Sequence, residues 1–363
     1  MSIEELLKLI YERNASDLHI TVGVPPILRV YGRLVRTEFP RLTPEDTKSL
    51  AYSILTEKQR EKLDVQGEFD FSYGIPGVGR YRINVFHQRG SVALAIRSIP
   101  FRIPKLEELG LPNSLGELTK KPKGLILVTG PTGSGKSTTL ASMIDIINES
   151  RDCHIVTIED PIEYMHSHKK SIINQREVGS DTISFANALR AVLREDPDVI
   201  LIGEMRDLET IQAAITAAET GHLVFATLHT NNASQTVERI IDVFPPHQQE
   251  QIKLQLSNTI EAIIYQRLLP RKREKTLSDG MIRGRAVALE ILIATPAVRN
   301  LIREGKVHMI PNAIQTGSQL GMVSMDQSLL NLYKAGEISW EDFINNVTNR
   351  EEMMRMVGER VRI

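Results

Sequence analysis

The stretch Gly130–Ser137 reads "GPTGSGKS", directly after the apolar run "GLILVTG" and directly before "TTLASMIDIINES". The pattern G-x-x-x-x-G-K-[ST] requires glycines where backbone N–H groups wrap closely around an anion, and Gly130, Gly133 and Gly135 provide that freedom. The apolar run predicts a buried parallel strand, and the segment after the motif repeats apolar residues at helical spacing. The sequence therefore predicts a strand, a phosphate-binding loop and a helix, in that order.

The chemistry of this loop follows from its residues. The positive end of the helix dipole would face the phosphates, Lys136 would reach the β- and γ-phosphates of ATP, and the Ser137 hydroxyl would bind Mg²⁺. A glycine-rich turn without function is the alternative, but the motif is complete and has the flanking strand and helix that it requires. The residues predicted to contact the nucleotide are Gly130, Pro131, Thr132, Gly133, Ser134, Gly135, Lys136, Ser137 and Thr138.

The composition limits the other classes to which the protein could belong. The chain has 363 residues and a formal net charge of -1, so it has no global basic field to hold nucleic acid or an anionic membrane. A single cysteine, Cys153, excludes internal disulfides and a four-cysteine zinc site and indicates a reducing compartment. No stretch approaches the ~20 apolar residues of a membrane span, so we expect no transmembrane segment.

Changes in pattern divide the chain into four regions. Residues 1–100 contain alternating segments such as "ILRVYGRLVR" and "RYRINVF", which predict antiparallel strands in a small α+β domain. Prolines punctuate residues 101–113, which we expect to form a linker. Residues 114–295 alternate four short apolar runs with helical patterns, and this alternation predicts a parallel sheet flanked by helices. We expect residues 296–363 to be helical.

Acidic residues follow two of the predicted parallel strands. The run "DPDVILIGEMRD" ends its strand at Gly203 and Glu204, where many ATPases carry an aspartate and then a glutamate, one for Mg²⁺ and one to polarise water. Glycine replaces the aspartate here, so a carboxylate is needed from elsewhere. The run "TIEDPIEY" offers Glu159, Asp160 and Glu163 at a strand end that should share an edge with the phosphate loop. A solvated surface charge is the alternative for any one of these acids.

Two histidines flank a further strand in "TGHLVFATLHTNNA", with His222 before it and His229 after it. A neutral imidazole both donates and accepts hydrogen bonds, so a histidine at a strand end could bind a γ-phosphate or sense its loss. A hydrogen bond to a nearby carbonyl is the alternative, and sequence spacing does not decide between the two. Zinc is disfavoured, because a whole strand separates the histidines and no cysteine cluster lies nearby.

The order of these motifs resembles a known family. "GPTGSGKST", "TIEDPIEY", "LREDPDVILIGEMRDLETI" and "TGHLVFATLHTNNA" are similar to the phosphate loop, acidic box, atypical Walker B and histidine box of the secretion ATPase superfamily. The resemblance covers nearly the whole chain. Within it, "GRYRINVFHQRGSVALAIRSIP" resembles the superfamily's N-terminal PAS-like domain, and "AVRNLIREGK" resembles a motif associated with its pilus retraction branch.

This resemblance implies an architecture and a set of partners. The expected fold is a RecA-like P-loop ATPase domain of the α/β class, with a smaller N-terminal PAS-like α+β domain and C-terminal helices. The expected assembly is a homohexamer. The expected partners are an inner-membrane platform protein and the pilus machinery, and the chain would be cytoplasmic and peripherally associated with the inner membrane.

The resemblance also implies roles for individual residues. Glu204 would be the Walker B acid and, with Ser137, would hold Mg²⁺ directly or through water, while Lys136 would bind phosphate. Glu163 would be a catalytic carboxylate of the acidic box, and His229 would sense the γ-phosphate. Which glutamate activates water stays open.

A pair of arginines near the N-terminus and a segment near residue 300 complete the candidate residues. Arg82 and Arg97 match arginines that reach toward nucleotide from the family's N-terminal domain; without that match they would be solvated arginines on strand faces. The segment "TPAVRNLIREGK" predicts a short helix that begins at Pro296. Arg299 and Arg303 would share its exposed face and contact a neighbouring subunit or the pilus machinery, with a solvated arginine pair as the alternative.

Three functions remain possible for such a chain. The preferred one is a motor that hydrolyses ATP to drive type IV pilus retraction, and hence twitching motility. An assembly or secretion ATPase of the same superfamily commonly carries a paired-cysteine zinc element and a longer N-terminal region, and neither occurs in this sequence. A RecA-like nucleic-acid motor should show a basic stripe, and only "RLLPRKREK", residues 267–275, is strongly basic, so we expect no nucleic-acid partner.

Overall fold

The computed structural model describes residues 1–13, 15–30, 32–100, 102–276 and 282–358. Within it the chain forms two compact units, Met1–Arg102 with Pro161–Met165, and Ile103–Asp160 with His166–Ile363. None of the helices in this described part of the chain combines the length and the apolar character that crossing a bilayer requires.

The first unit is built on a six-stranded antiparallel sheet with the strand order β3-β2-β1-β6-β5-β4. Its elements are α1 (Ile3–Glu12), β1 (Ala15–Ile20), β2 (Ile27–Val30), β3 (Arg33–Arg36), α2 (Pro44–Tyr52), α3 (Glu57–Gln66), β4 (Glu68–Ile75), β5 (Gly79–Gln88) and β6 (Ser91–Ile99). The N-terminal helix α1 begins with a capping box, because Glu5 N–H donates to Ser2 Oγ and Ser2 N–H donates to Glu5 Oε2. The alternating segments predicted antiparallel strands within residues 1–100, and the six strands of this sheet agree with that prediction.

The second unit is built on a seven-stranded sheet with the order β13-β12-β7-β11-β10-β8-β9, parallel except between β12 and β13. Its elements up to the last strand are α4 (Leu106–Leu109), α5 (Ser114–Leu118), β7 (Gly124–Thr129), α6 (Lys136–Ser150), β8 (His154–Glu159), β9 (Ile172–Glu177), α7 (Phe185–Val192), β10 (Val199–Ile202), α8 (Leu208–Glu219), β11 (Leu223–Leu228), α9 (Ala233–Asp242), α10 (Pro246–Thr259), β12 (Ile260–Thr276) and β13 (Ile282–Ile293).

Short helices follow the last strand of the second unit. They are α11 (Pro296–Arg303), α12 (Ile310–Thr316), α13 (Met325–Lys334), α14 (Trp340–Asn346) and α15 (Arg350–Val357), with 3₁₀ turns at Val307–Met309 and Ser318–Leu320. Helices α13 and α14 bury Leu329 and Phe343 in a hydrophobic cluster that also contains Tyr265 of β12 and Ala286 of β13. The helical prediction for the region after residue 296 agrees with this arrangement.

The central strand β7 explains why the phosphate motif follows a continuous apolar run. Leu125 and Leu127 lie in the hydrophobic cluster on one face of the sheet, and Ile126 and Val128 lie in the cluster on the other face. A strand between two layers of helices is buried on both faces, so it shows no apolar–polar alternation. The predicted α/β fold is confirmed, and β7, β8, β10 and β11 are the four strands that the apolar runs indicate.

The sequence analysis missed β9, β12 and β13. Strand β9 is an edge strand with the polar sequence "IINQRE", so it lacks the apolar run of a buried strand. The second half of β12 carries the basic run, and part of that run is fixed within the fold, because Arg271 forms an ion pair with Glu337. Leu106 and Leu111, in the segment expected to be a linker, are buried in the sheet core.

Candidate functional site

The candidate site lies where four neighbouring parallel strands end, which we term the carboxyl edge of the seven-stranded sheet. The order β7, β11, β10 and β8 places the chain segments that follow these strands side by side. They carry, in that order, the phosphate loop, His229, Glu204 and Glu159. Because ligands of open α/β sheets bind outside the carboxyl ends of the strands, the fold brings four of the predicted motifs to one place.

The phosphate loop connects β7 to α6, and its glycines are required by backbone geometry. Gly130, Gly133 and Gly135 have φ values of 143°, 76° and 88°, in the region that side chains disfavour. A Cβ at Gly130 would lie 2.3 Å from the carbonyl oxygen of Gln266, so no larger residue fits there. Pro131, Thr132 and Gly133 form the exposed tip, whereas Ser137 and Thr138 are half-buried in the first turn of α6.

The side chains of the loop fit an anion. Lys136 begins α6, and its Nζ donates to the carbonyl oxygens of Gly130 at 2.9 Å and Pro131 at 3.1 Å, which keeps the ammonium group against the loop. Within the described structure, the buried hydroxyls Ser134 Oγ and Thr129 Oγ1 have no hydrogen-bond partner. Buried polar groups are normally satisfied, so these hydroxyls at the loop indicate a polar ligand. The N-terminus of α6 supplies the backbone N–H groups and the dipole that favour phosphate.

Glu204 follows β10 and contacts two basic side chains through one oxygen. Its Oε1 lies 2.7 Å from Arg206 Nε and 3.2 Å from His229 Nε2. The Glu204 side chain is 19% exposed, so the carboxylate is accessible yet held in place by these contacts. The structure therefore joins the predicted Walker B acid to the predicted sensor histidine of the neighbouring strand.

Glycine at position 203 has a steric cause. A Cβ built on Gly203 would lie 3.2 Å from Glu159 Cα and 3.2 Å from the carbonyl oxygen of Ile158, tighter than ordinary packing allows. The Gly203 N–H donates to the same Ile158 oxygen at 2.7 Å. The backbone of β10 therefore approaches β8 so closely that an aspartate at position 203 would require a shift of a few tenths of an ångström, and this close approach favours glycine there.

The acidic box is divided between the two units. Glu159 ends β8, where its Oε1 accepts hydrogen bonds from Thr157 Oγ1 at 2.7 Å and Gln175 Nε2 at 3.2 Å. Asp160 follows Glu159. The Glu204 carboxylate is the main cause that raises the pKa of Arg206, and the negative charge of Asp160 acts in the same direction. Glu163 belongs to residues 161–165, which group with the first unit. Its predicted role at the nucleotide stays a prediction.

The surroundings of His229 favour the neutral form of its imidazole. Partial burial and then the nearby Lys136 charge lower the pKa of His229 below its ordinary value, whereas the Glu204 carboxylate acts in the opposite direction. The His229 ring, whose neutral form is favoured in this way, lies with Nε2 3.2 Å from the Glu204 carboxylate. Lys136 and His229 therefore lie within electrostatic reach of each other.

His222 is not part of this site. It precedes β11, so it lies at the opposite end of the strand from His229, and its Nδ1 is 2.9 Å from the carbonyl oxygen of Ala217 near the end of α8. That contact matches the alternative in which a histidine satisfies a carbonyl. The expectation that His222 binds or senses phosphate is not supported by its position.

Arg82 and Arg97 are neighbours in the first unit. They are direct cross-strand partners on β5 and β6, so their side chains share one face of the six-stranded sheet. Arg97 Nε donates to Asp17 Oδ1 at 2.8 Å, and Arg82 Nε lies 3.8 Å from Asp70 Oδ1. Burial would raise the pKa of Asp17, but the Ser16 and Arg97 hydrogen bonds hold it below its ordinary value. Action of either arginine on a nucleotide stays a prediction.

The arginines of α11 differ from each other. The predicted helix is confirmed, with Thr295 as its N-cap, but only Arg303 is exposed as expected. Arg299 NH1 donates to the carbonyl oxygens of Ser257 at 2.9 Å and Asn258 at 3.0 Å, at the end of α10. The expectation that Arg299 lies on a free surface is corrected, because its guanidinium holds the end of another helix.

Two residues near the site were not predicted. Arg206 contacts Glu204 as described, and its position two residues beyond the Walker B acid was the available signal. Glu290 of β13 accepts a hydrogen bond from the Ala233 N–H at 2.7 Å, at the start of the helix that follows the His229 segment. Burial raises the pKa of Glu290. No local motif marks Glu290, since the contact depends on the pairing of distant strands.

Comparison with known proteins agrees with this geometry. A family model described as "Type II/IV secretion system protein" matches residues 94–341. The chain is 48% identical over 342 residues to "Type IV pilus retractation ATPase PilT" of Pseudomonas aeruginosa, covering 94% of this chain and 97% of that protein. It is 50% identical over 328 residues to "Twitching motility protein" of Neisseria gonorrhoeae, covering 90% of this chain and 86% of that protein.

A solved structure is also similar. It is described as "Crystal Structure of the Pilus Retraction Motor PilT and Bound ADP", and it matches with a TM-score of 0.87 and 55% sequence identity. The match covers 98% of this chain and 100% of that chain.

Proposed function

The chain belongs to the type II/IV secretion system protein family, and from that premise we propose that it is an ATPase motor that powers retraction of a type IV pilus. The observation that carries this proposal is the similarity, over nearly the full length of both chains, to a protein named as a pilus retraction ATPase. The convergence of phosphate loop, Glu204 and His229 at the carboxyl edge supports it, because ATP hydrolysis needs a phosphate cradle and a carboxylate together.

ATP would bind at the phosphate loop. Its phosphates would accept hydrogen bonds from the backbone N–H groups at the start of α6, from Lys136 Nζ and from Ser134 Oγ. Lys136 must then exchange the carbonyl oxygens of Gly130 and Pro131 for phosphate oxygens. The solved structure of the similar motor carries ADP, which is the product of this reaction.

Mg²⁺ fits the donor set beside the loop. The Ser137 hydroxyl and the Glu204 carboxylate are oxygen donors of the kind that Mg²⁺ prefers, and water would complete the shell. When bound, the ion would neutralise charge on the β- and γ-phosphates.

Glu204 would act on the attacking water. Its carboxylate is accessible, and an ionic contact with Arg206 orients it. Glu204 follows β10, and His229 follows the neighbouring strand β11, so the two side chains lie close together. His229, whose neutral form is favoured, can donate a hydrogen bond to a γ-phosphate and lose that bond after hydrolysis. Glu163 is the second candidate carboxylate, and a Glu163→Gln variant beside Glu204→Gln decides between them by which variant loses the greater part of kcat.

The working assembly would be a homohexamer. Residues 114–295 would act as the RecA-like ATPase core, and residues 1–100 would act as a PAS-like domain that carries Arg82 and Arg97 toward a nucleotide. An arginine placed in this way stabilises the charge of the transition state. The ring would act on an inner-membrane platform protein from the cytoplasmic side, and it would transmit force to the pilus base.

A deletion and complementation experiment tests the function. In a piliated host that lacks its own copy, we expect abundant surface pili and no twitching motility. The wild-type chain should restore motility, whereas Glu204→Gln should not, since loss of a catalytic carboxylate typically lowers turnover by about 10² or more. The control is Glu209→Gln, which changes an exposed acid on α8 and should restore motility.

The number of surface pili on the deletion strain distinguishes a retraction ATPase from an assembly ATPase. Loss of all surface pili in the deletion strain would identify an assembly ATPase and overturn the retraction proposal. Full motility with Glu204→Gln would overturn the assigned role of that carboxylate.

A further inference from the structure

Gln266 on β12 is a buried amide that contacts the phosphate loop. The residue is 1% exposed. Its Nε2 donates to the carbonyl oxygen of Ser134 at 2.6 Å, and its Oε1 accepts from Thr139 Oγ1 at 2.9 Å. One amide therefore holds both the backbone of the loop and the first turn of α6.

The glycines of the loop are also fitted to this residue. A Cβ at Gly130 would collide with the Gln266 carbonyl oxygen, and a Cβ at Gly135 would lie 3.1 Å from Gln266 Nε2. The backbone and the side chain of Gln266 thus lie directly behind the loop at two positions. The glycine pattern serves close approach to β12 as well as conformational freedom.

The geometry of the peptide bond gives this contact a consequence. A trans peptide is planar, so its C=O and N–H groups point in opposite directions. When Gln266 holds the Ser134 carbonyl toward β12, the N–H of Gly135 points away from β12. Loss of the contact would free this peptide to rotate, and one donor of the phosphate cradle would lose its fixed direction.

The residue after Gln266 fixes the strand from its other side. Successive side chains of a strand point to opposite faces, and Arg267 NH1 donates to Asn346 Oδ1 at 2.7 Å on α14. The strand at this point is therefore held between the phosphate loop and the C-terminal helices.

We propose that Gln266 is a positioning residue for nucleotide binding, which orients the Ser134–Gly135 peptide and the first turn of α6 for the phosphates. This inference rests on the proposed nucleotide site. Gln266 does not touch the reacting atoms. Its effect should therefore appear in nucleotide affinity and in the KM for ATP rather than in overall stability alone.

The matched control is Asn148, a fully buried amide near the C-terminal end of α6, the helix whose first turn Gln266 contacts. Its Nδ2 donates to the Ser167 carbonyl at 2.7 Å, and its Oδ1 accepts from the Lys169 N–H at 3.1 Å. Gln266→Leu and Asn148→Leu each remove one donated and one accepted hydrogen bond from a buried amide. They differ in distance from the phosphate loop.

The experiment measures ADP binding by calorimetry and thermal unfolding for the full chain and both variants. Gln266→Leu should weaken ADP binding about tenfold or more, the effect of one buried hydrogen bond left unsatisfied. Asn148→Leu should lower the melting temperature about as much as Gln266→Leu lowers it. Asn148→Leu should nevertheless leave ADP affinity unchanged. Unchanged ADP affinity in a folded Gln266→Leu variant overturns the inference alone, whereas a wild-type chain that does not bind ADP overturns the proposed function as well.

A second variant keeps the test decisive if Gln266→Leu does not fold. Gln266→Glu preserves the shape and the acceptor for Thr139, but an ionised oxygen would face the Ser134 carbonyl. A protonated carboxyl can donate to that carbonyl. ADP affinity of Gln266→Glu, relative to wild type at each pH, should therefore recover as the pH falls. An affinity ratio that does not change with pH contradicts a positioning role.

Discussion

Both edges of the seven-stranded sheet hold a lysine by contacts within the fold, but the carboxyl edge also leaves buried hydroxyls without a partner in the described structure. At the carboxyl edge, Lys136 lies against carbonyl oxygens and the Ser134 hydroxyl has no partner in the described structure. At the amino edge, where β7 and β12 begin, Glu261 Oε1 accepts from Arg299 NH2 at 2.6 Å and Glu261 Oε2 from Lys121 Nζ at 2.9 Å. One edge retains capacity for a ligand, and the other uses its charges on the fold.

This difference teaches how charged motifs should be interpreted. A charge that is paired with an opposite charge of its own fold contributes to stability, whereas a buried polar group left unsatisfied at a strand end indicates a ligand. Substitutions at the two edges should accordingly change different measured quantities. Nucleotide binding should respond at the carboxyl edge, and the free energy of unfolding should respond at the amino edge.

The largest expected effect compares one lysine from each edge. Lys136→Ala removes a charge-assisted bond to phosphate, and such bonds contribute about 1.5–3 kcal/mol, so ADP affinity should fall about 10- to 100-fold. Lys121→Ala removes a partly exposed ion pair, and it should cost less than ~1 kcal/mol of stability and leave ADP affinity unchanged. Calorimetric titration with ADP makes the comparison. Equal affinity losses in both variants would abolish the distinction between the edges.

An intermediate effect is expected within α11. Arg299→Ala leaves the end of α10 without its cap and Glu261 with one partner fewer, so it should lower the free energy of unfolding by about 1–3 kcal/mol. Arg303→Ala removes only long contacts at 3.4 and 3.5 Å and should cost less than ~0.5 kcal/mol. Urea unfolding of the full chain measures both. A cost for Arg303→Ala as large as that for Arg299→Ala would contradict the assigned difference.

Arg299→Ala and Arg303→Ala also distinguish a structural role from a functional role for the arginines of α11. If Arg303→Ala abolishes twitching motility while stability and ATPase rate are unchanged, the exposed arginine acts on a partner. A defect of Arg299→Ala would need to be measured against its lower stability before any such role is assigned.

The smallest effect concerns the titration of His229. Its pKa should lie below the ordinary histidine value and should rise in Lys136→Met, because that variant removes one of the causes of the shift. The unfolded chain then binds the proton more tightly than the folded chain, so His229 should lower stability as the pH falls below about 6.5. NMR of labelled imidazole rings follows the titration, with His229→Gln to assign the signal. A pKa that does not change in Lys136→Met would disprove the electrostatic link.

The sequence predicted those parts of the molecule that depend on local pattern. The phosphate loop, the buried strands and the helix at Pro296 each carry their signal within a few neighbouring residues. The α/β fold follows from the alternation of these elements.

The parts that sequence analysis missed depend on distant residues. His222 and His229 look alike in sequence, and only the direction of β11 separates their roles. Arg299 looked free because α10 lies some forty positions earlier in the chain. Strand β12 was hidden because its second half carries the basic run and, among the described residues, pairs with β13 alone, so it lacks the continuous apolar pattern of a central buried strand.

The contact between Ser134 and Gln266 joins positions 132 residues apart, which orders events during synthesis. At about 5–20 residues per second, the ribosome needs roughly 7–26 s to extend the chain from the loop to the strand that supports it. During that interval the nascent chain contains the whole glycine motif without the surface that shapes it. We therefore expect nucleotide to bind more weakly to a chain that ends before β12, by about the tenfold factor expected for loss of the Gln266 contact.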